Sequence, residues 1–244
     1  MSRFQGRTAL VTGASRGIGA AVAVLLAKQG ADVVINFRTK GSRAEEIAAQ
    51  VHALGRRSLL VQADLTDEGV VSAMADAIRE SFGRLDILLL NASGGLEKDK
   101  PASYAMELNL TAQVRMLDAM LPMMAAGGCI VFVTSHLAHF YGRKPVYAAY
   151  EGIAASKKAG EDALRSRMPE FEARGLRLAI VSGDMIDGTI TPKLLERTQR
   201  GLIESRRGQA GVLPTVQEFA AAIVDAAADS SRPNGHVTFV GTTD

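Results

Sequence analysis

The stretch from Thr8 to Ala27 constrains this chain more than any other. A short apolar run, Thr8-Ala9-Leu10-Val11, passes through Thr12-Gly13-Ala14-Ser15-Arg16-Gly17-Ile18-Gly19 into an apolar-periodic segment, Ala20 to Ala27. A strand that turns at once into a helix needs glycine wherever a side chain would block the turn. Gly13 lets the chain leave the strand tightly, Gly17 lets the backbone approach a pyrophosphate, and Gly19 lets the helix pack closely on the sheet. The first helical turn then presents free N–H groups and the positive end of its dipole. Backbone alone makes an anion site there, with Ser15, Arg16 and Ile18 beside it.

The rest of the chain alternates in the same way. Strands are predicted at Ala9 to Thr12, Asp32 to Phe37, Ser58 to Gln62, Leu85 to Leu90, Cys129 to Thr134, Leu176 to Val181 and His236 to Val240. Between them run helical patterns at Ala20 to Gln29, Ser42 to Leu54, Thr66 to Phe82, Tyr104 to Met124, Tyr150 to Ala173 and Thr215 to Ala228, with a less regular segment from Gly188 to Val212. Strands that are apolar almost throughout are buried on both faces, which is the mark of a parallel sheet wrapped by helices. The expected fold is therefore α/β, a single doubly wound domain spanning residues 1–244.

Composition excludes several function classes. The formal charge of +2, without a Lys/Arg block or an interleaved aromatic stripe, argues against nucleic acid. The two histidines His136 and His139 lack a matching cluster of carboxylates or cysteines, so no metal is expected. The single cysteine, Cys129, lies in an apolar strand pattern and suits a reducing compartment. With neither a signal pattern nor an apolar run of membrane length, a cytoplasmic protein without membrane partners is expected.

The spacing Thr12-Gly13-x-x-x-Gly17-x-Gly19 resembles that of the short-chain dehydrogenase/reductase family, and the resemblance runs over nearly the whole chain. It implies a Rossmann-type sheet of about seven strands. An acidic residue at the end of the second strand would bind the ribose hydroxyls of NAD; here Asn36-Phe37-Arg38-Thr39 stands there, with Arg16 as a second cation, and NADP(H) is expected. Ala63-Asp64-Leu65 resembles the motif that caps the adenine, although Asp64 also reads as a helix-capping acid before Thr66. Asn91-Ala92-Ser93-Gly94 is similar in part to the family's Asn-Asn-Ala-Gly beneath the adenosine ribose. Asn109 matches the asparagine that kinks a helix and holds a proton-relay water, and a purely structural asparagine fits its position equally. After the sixth strand, Ser182-Gly183-Asp184-Met185-Ile186 replaces the usual Pro-Gly turn, with Gly183 and Ile186 expected against the nicotinamide and Asp184 near the substrate mouth.

The catalytic region departs from the family's Tyr-x-x-x-Lys. Ser135 stands at the end of the fifth strand and Lys157 follows a run of small residues, but the position four before Lys157 is Ile153. Seven before it is Tyr150, and seven residues at about 100° each return almost to the same face of a helix. This Tyr-x6-Lys spacing resembles the divergent branch that contains enoyl-carrier-protein reductases. The family mechanism gives Tyr150 the role of proton donor, Lys157 that of binding the nicotinamide ribose and lowering the tyrosine pKa, and Ser135 that of holding the substrate oxygen. Tyr147 and Tyr141 are alternatives for the donor.

The segment 188–212 corresponds to a substrate lid, and Lys193, Arg197, Arg200, Arg206 and Arg207 against Glu196 and Glu204 leave it at +3. Such a lid suits an acidic substrate or the surface of an acyl carrier protein; a solvated amphipathic helix is the plainer reading. The resemblance implies an NADPH-dependent reductase of a carbonyl, a ketone or 3-oxoacyl thioester. An enoyl thioester reductase and a catalytically silent NADP(H)-binding protein are the alternatives. Family members assemble as homodimers or homotetramers, which is the expectation here.

Overall fold

In the computed structural model, which describes residues 2–97 and 99–243, seven parallel strands form one sheet in the order β3-β2-β1-β4-β5-β6-β7. The chain runs β1 (Thr8–Val11), α1 (Gly17–Lys28), β2 (Asp32–Phe37), α2 (Gly41–Ala53), β3 (Ser58–Gln62), α3 (Glu68–Phe82) and β4 (Leu85–Leu90). It continues through α4 (Tyr104–Met106), α5 (Ala112–Met120), β5 (Met124–Ser135), α6 (His136–His139), α7 (Glu151–Ser166), α8 (Met168–Ala173) and β6 (Arg177–Gly183). The last elements are α9 (Ile190–Thr198), α10 (Leu202–Ala210), α11 (Val216–Ala228) and β7 (His236–Val240). The doubly wound reading of the alternation is correct.

Alternate residues of each strand point to opposite faces, so the sheet divides the apolar residues into two cores. Val11, Val33, Ile35, Leu89, Val131 and Val181 face α1, α2 and α11. Leu10, Val34, Leu88, Leu90, Ile130 and Ile180 face α3, α5 and α7. The strand order reverses between β1 and β4, and the carboxyl ends of these two strands open the crevice where ligands bind in such sheets.

Four expected elements differ. The long helix 104–124 is broken: α4 passes into a π-helical turn at Glu107–Thr111, α5 follows, and a 3-10 turn at Leu121–Met123 leads into a strand that begins at Met124. The π turn lies against α7, where a methyl on Gly160 would collide with the Asn109 carbonyl oxygen; the absent side chain lets the helix come this close. The helix 150–173 is cut at Arg167, because Pro169 has no N–H to continue it and instead starts α8. Thr66 does not cap α3: Asp64 Oδ1 accepts from both its N–H and its hydroxyl, and Asp67 caps the helix by accepting from Val70 N–H at 3.2 Å. Segment 188–212 is not irregular but holds α9 and α10.

The contact at Gly160 yields a contrast within one helix. Gly160→Ala is expected to lower stability by about 3 kcal/mol, since the obstacle is backbone. Gly152→Ala, which meets nothing within 4 Å, is expected to raise it by a few tenths to about 1 kcal/mol. Thermal melting of the two variants beside wild type checks both signs.

Candidate active site

The glycine loop is held from below. Buried Asn36 accepts from Gly13 N–H at 3.2 Å and donates to the Ala63 carbonyl at 3.3 Å, joining the turn to the end of β3. Gly17 has φ +56°, open to glycine without strain, and the space where its side chain would stand is empty. A methyl on Gly19 would lie 2.5 Å from the Gly13 carbonyl oxygen, so α1 can only approach the loop bare. Arg16, at the N-cap of α1, gives no side-chain cap, and the first turn carries no acid; its N–H groups remain available to an anion.

From this loop one cavity of about 1080 Å³ extends across the carboxyl ends of the strands. Gly13, Ser15, Arg16, Gly17, Ile18, Gly19, Arg38, Asp64, Leu65, Asn91, Ala92, Ser93, Lys157, Gly183 and Ile186 all stand on its wall, as do Ser135 and Tyr150. At the β2 end Arg16, Arg38, Lys40 and Arg43 give it a cationic rim. The carboxylates on that side are engaged: Asp64 Oδ1 by Thr66, and Glu97 Oε2 by the Gly95 N–H at 2.6 Å.

Tyr150 closes a 3-10 turn, Ala148–Tyr150, directly ahead of α7, so the helix does not extend back through it. Its hydroxyl lies 3.2 Å from Ser135 Oγ, which also accepts from Ala138 N–H at 3.3 Å as the N-cap of α6. Ile153, one turn on, supplies an apolar piece of the same wall. Tyr147 borders the cavity as well, but Tyr141 packs behind it against the cluster of Ala138, Tyr150 and Ile153.

The phenol is not shifted as the resemblance implied. Burial raises the Tyr150 pKa, and the Ser135 hydrogen bond opposes that only in part, so the ring keeps its proton. Lys157 is itself buried, and desolvation pushes its pKa down to about 8. Asn109 lies off the cavity wall: its Nδ2 donates to the Gly94 carbonyl at 2.9 Å and to Ser156 Oγ at 3.0 Å, and its Oδ1 accepts from Gly94 N–H at 3.3 Å. The asparagine thereby bolts the loop after β4 to α7, beside Lys157.

Three arrangements around the site were not legible in the sequence. His136 Nδ1 lies 2.8 Å from Ser182 Oγ, and burial pushes the ring down to about 4, against the pull of Asp184; it is neutral at physiological pH. His139 Nδ1 lies 2.9 Å from both oxygens of Glu161, which is 1% exposed and also accepts from Arg165 Nε at 2.8 Å. Burial alone would raise the Glu161 carboxyl, but these two hydrogen bonds hold it below the usual carboxylate range.

The third is a correction to the basic lid. Arg206 forms a fork on Asp184, Nε and Nη2 each 2.9 Å from one carboxylate oxygen, and donates to the Thr242 carbonyl. Arg207 pairs with Asp187 at 3.2 Å. Both cations are matched by carboxylates just outside the lid segment, and counting charges within 188–212 missed them. The signal was Asp184, an acid placed at a strand end.

The short chain dehydrogenase family profile matches residues 7–199. The chain is 33% identical over 189 residues to 1-cyclohexenylcarbonyl-CoA reductase of Streptomyces collinus, 74% of this chain and 65% of that protein, and so spans just under two thirds of that relative. It is 33% identical over 240 residues to cis-4-hydroxycyclohexanecarboxylate dehydrogenase of Sinomonas cyclohexanicum, covering 93% of this chain and 92% of that one. The crystal structure of a short chain dehydrogenase from Burkholderia cenocepacia J2315 in complex with NADP superposes at a TM-score of 0.85 and 32% identity, over 98% and 97% of the two chains.

The burial of Lys157 has a measurable signature. Its pKa is about 8 folded against 10.5 in the open chain, so between those values the unfolded state binds more protons and stability rises with pH. Below about pH 8 the lysine is charged in both states and the full cost of burying it, roughly 3 kcal/mol, is present. Lys157→Met is therefore expected to stabilise the protein by on the order of 1–3 kcal/mol at pH 7, and the advantage is expected to shrink towards pH 10. Urea unfolding of both proteins at the two pH values measures it; an equal difference at each would contradict the assignment.

Proposed function

The chain belongs to the short chain dehydrogenase family, and from that premise we propose that it is an NADPH-dependent reductase of a carbonyl group, with Tyr150 as proton donor. The observation that carries this reading is the Tyr150–Ser135 pair, 3.2 Å apart, in a cavity wall shared with Lys157 and the glycine loop. The bare Gly17 turn, the uncapped start of α1 and the cationic rim at Arg16 and Arg38 fit a phosphorylated dinucleotide. A nicotinamide bound there supplies hydride. NADP in the Burkholderia cenocepacia structure supports the same choice.

Ser135 donates to the substrate oxygen, and Tyr150, kept neutral by burial, delivers its proton to that oxygen as negative charge develops. Lys157 holds the ribose hydroxyls and stabilises the phenolate that remains. Asn109 acts through Gly94 and Ser156 as a positioning residue. Asp64 and Leu65 border the adenine, Asn91 to Ser93 the adenosine ribose, and Gly183 and Ile186 the nicotinamide. The segment 188–212 serves as the lid over the substrate, latched by the Asp184–Arg206 fork.

The substrate end of the cavity is lined by Leu96, Leu137, Val146, Met185, Ile190 and Leu195. Such walls favour an alicyclic or aromatic ketone, and both relatives above are named for six-membered carbocycles. Reduction of a conjugated enoyl thioester is the second reading. It is favoured by the seven-residue interval from Tyr150 to Lys157 and by the name of the Streptomyces collinus relative. An acyl carrier protein delivering that thioester would meet the exposed lid residues Lys193, Arg197 and Arg200 rather than the paired Arg206 and Arg207.

Tyr150→Phe tests the reading directly. NADPH binding is expected to be unchanged while NADPH oxidation with cyclic ketones falls by 10²-fold or more; wild-type activity confined to enoyl thioesters would select the second reading, and full activity of the variant would remove Tyr150 as donor. For the lid, Arg206→Ala is expected to raise KM for the substrate by about tenfold and to leave kcat within about threefold. Steady-state kinetics at saturating NADPH separates the two constants.

A further inference from the structure

Arg38 is not a free cation waiting at the rim. Its Nη1 donates to the hydroxyl of Tyr104, which belongs to α4 on the far side of the crevice, and its backbone carbonyl accepts from Gln62 Nε2 at 3.1 Å. The guanidinium carbon lies 5.9 Å from the centre of the Tyr104 ring, and Lys100 Nζ lies 5.0 Å from the same centre. The ring is buried, 6% exposed, so it cannot follow a mobile arginine. Both residues border the cavity, beside Arg16, Lys40 and Arg43.

We infer that Tyr104 is a positioning residue for cofactor choice: it holds the Arg38 guanidinium ready for the 2′-phosphate of NADP(H) and has no role towards NAD(H). The inference rests on the proposed use of NADPH. Arginine has five N–H donors in a planar fork. Tyr104 engages Nη1 alone, which leaves the remaining edge for two hydrogen bonds to phosphate. An arginine free in solvent loses rotamer freedom when it binds, whereas one already ordered by a fixed partner has lost that freedom on folding. The tyrosine is suited to hold it, because burial raises its pKa against the opposing Arg38 charge and keeps the hydroxyl neutral.

The experiment is calorimetric titration of wild type, Tyr104→Phe, Arg38→Ala and the double variant with NADP+, NAD+, 2′,5′-ADP and 5′-AMP, no turnover being required. Tyr104→Phe is expected to weaken NADP+ and 2′,5′-ADP by about threefold to tenfold and to leave NAD+ and 5′-AMP unchanged. In the Arg38→Ala background the same substitution is expected to do nothing, since the two residues act as one unit. Equal weakening of NADP+ and NAD+ would mean a merely structural tyrosine and overturn the inference. Unchanged or tighter NADP+ binding would overturn it too, the tighter case meaning that the contact must break for the cofactor to enter. If Arg38→Ala itself leaves the NADP+ to NAD+ ratio unaltered, NADPH preference fails and the inference falls with it, and that arm identifies which of the two was wrong.

Discussion

Thr12 joins the two strands between which the crevice opens, and the rest of the site is hung from it. Its Oγ1 donates to the Leu89 carbonyl at 3.1 Å and accepts from the N–H groups of Asn91 and Ala92 at 2.9 and 3.0 Å. Its own carbonyl accepts from Asn91 Nδ2 at 2.9 Å. One small hydroxyl thus satisfies the Asn91 and Ala92 N–H groups where β1 and β4 diverge, while the Leu89 carbonyl also accepts from the Thr12 N–H at 3.1 Å; a buried unpaired backbone group is costly. The consequence is geometric. The glycine loop after β1 and the floor loop after β4 are fixed relative to each other before any ligand arrives, and Asn36 extends the same fixation to β3.

What the sequence disclosed and what it hid follow from the range of the interactions. The glycine loop was legible because the backbone found there favours glycine, and the five inner strands because burial on both faces leaves an apolar run. The break in the helix after Tyr104 was not, since a π turn of five residues, Glu107–Thr111, carries no glycine or proline to mark it in the sequence. Pairings across the fold are not written in local spacing: Arg38 to Tyr104 spans 66 positions and Asp184 to Arg206 spans 22, although Asp184 stood out as an acid at a strand end. Charges counted along the chain therefore misjudged part of segment 188–212, because Arg206 and Arg207 are matched by Asp184 and Asp187, which only the tertiary fold brings near, while Lys193, Arg197 and Arg200 stay exposed. Asp64 shows the opposite case, for its local capping reading was open from the start and Thr66 two residues on engages it, as a turn and not as a helix cap.

The two buried charges on α7 are treated differently. Glu161 receives His139 on one side and Arg165 on the other, and its carboxylate is held charged. Lys157, one turn earlier on the same helix, has desolvation alone acting on its pKa. A fold selected for stability alone would match such a cation, as it matches Glu161. A cation left under-solvated at a cavity wall interacts strongly with whatever oxygen enters, which is the electrostatic advantage of a preorganised site. The proposed role of Lys157 towards ribose hydroxyls and phenolate is a use for that arrangement.

The displaced tyrosine is the point where family pattern and local physics part. On a continuous helix a shift of three positions would move a side chain by about 4.5 Å along the axis. Here Tyr150 is not on the continuous helix but on the 3-10 turn ahead of it, where the backbone is more tightly wound and rises by about 2 Å per residue. Ser135, at the N-cap of α6, and Tyr150, at the N-cap of α7, meet because α6 packs on α7. Ile153 then occupies the site wall at the position four before Lys157, and the polar edge of the wall is moved towards the start of α7. In the proposed reaction, a substrate oxygen accepting from both Ser135 and Tyr150 would enter nearer to that start, between the α7 N-terminus and segment 188–212. Under the same proposal, the apolar surface of Ile153 on the cavity wall would face the substrate's carbon skeleton.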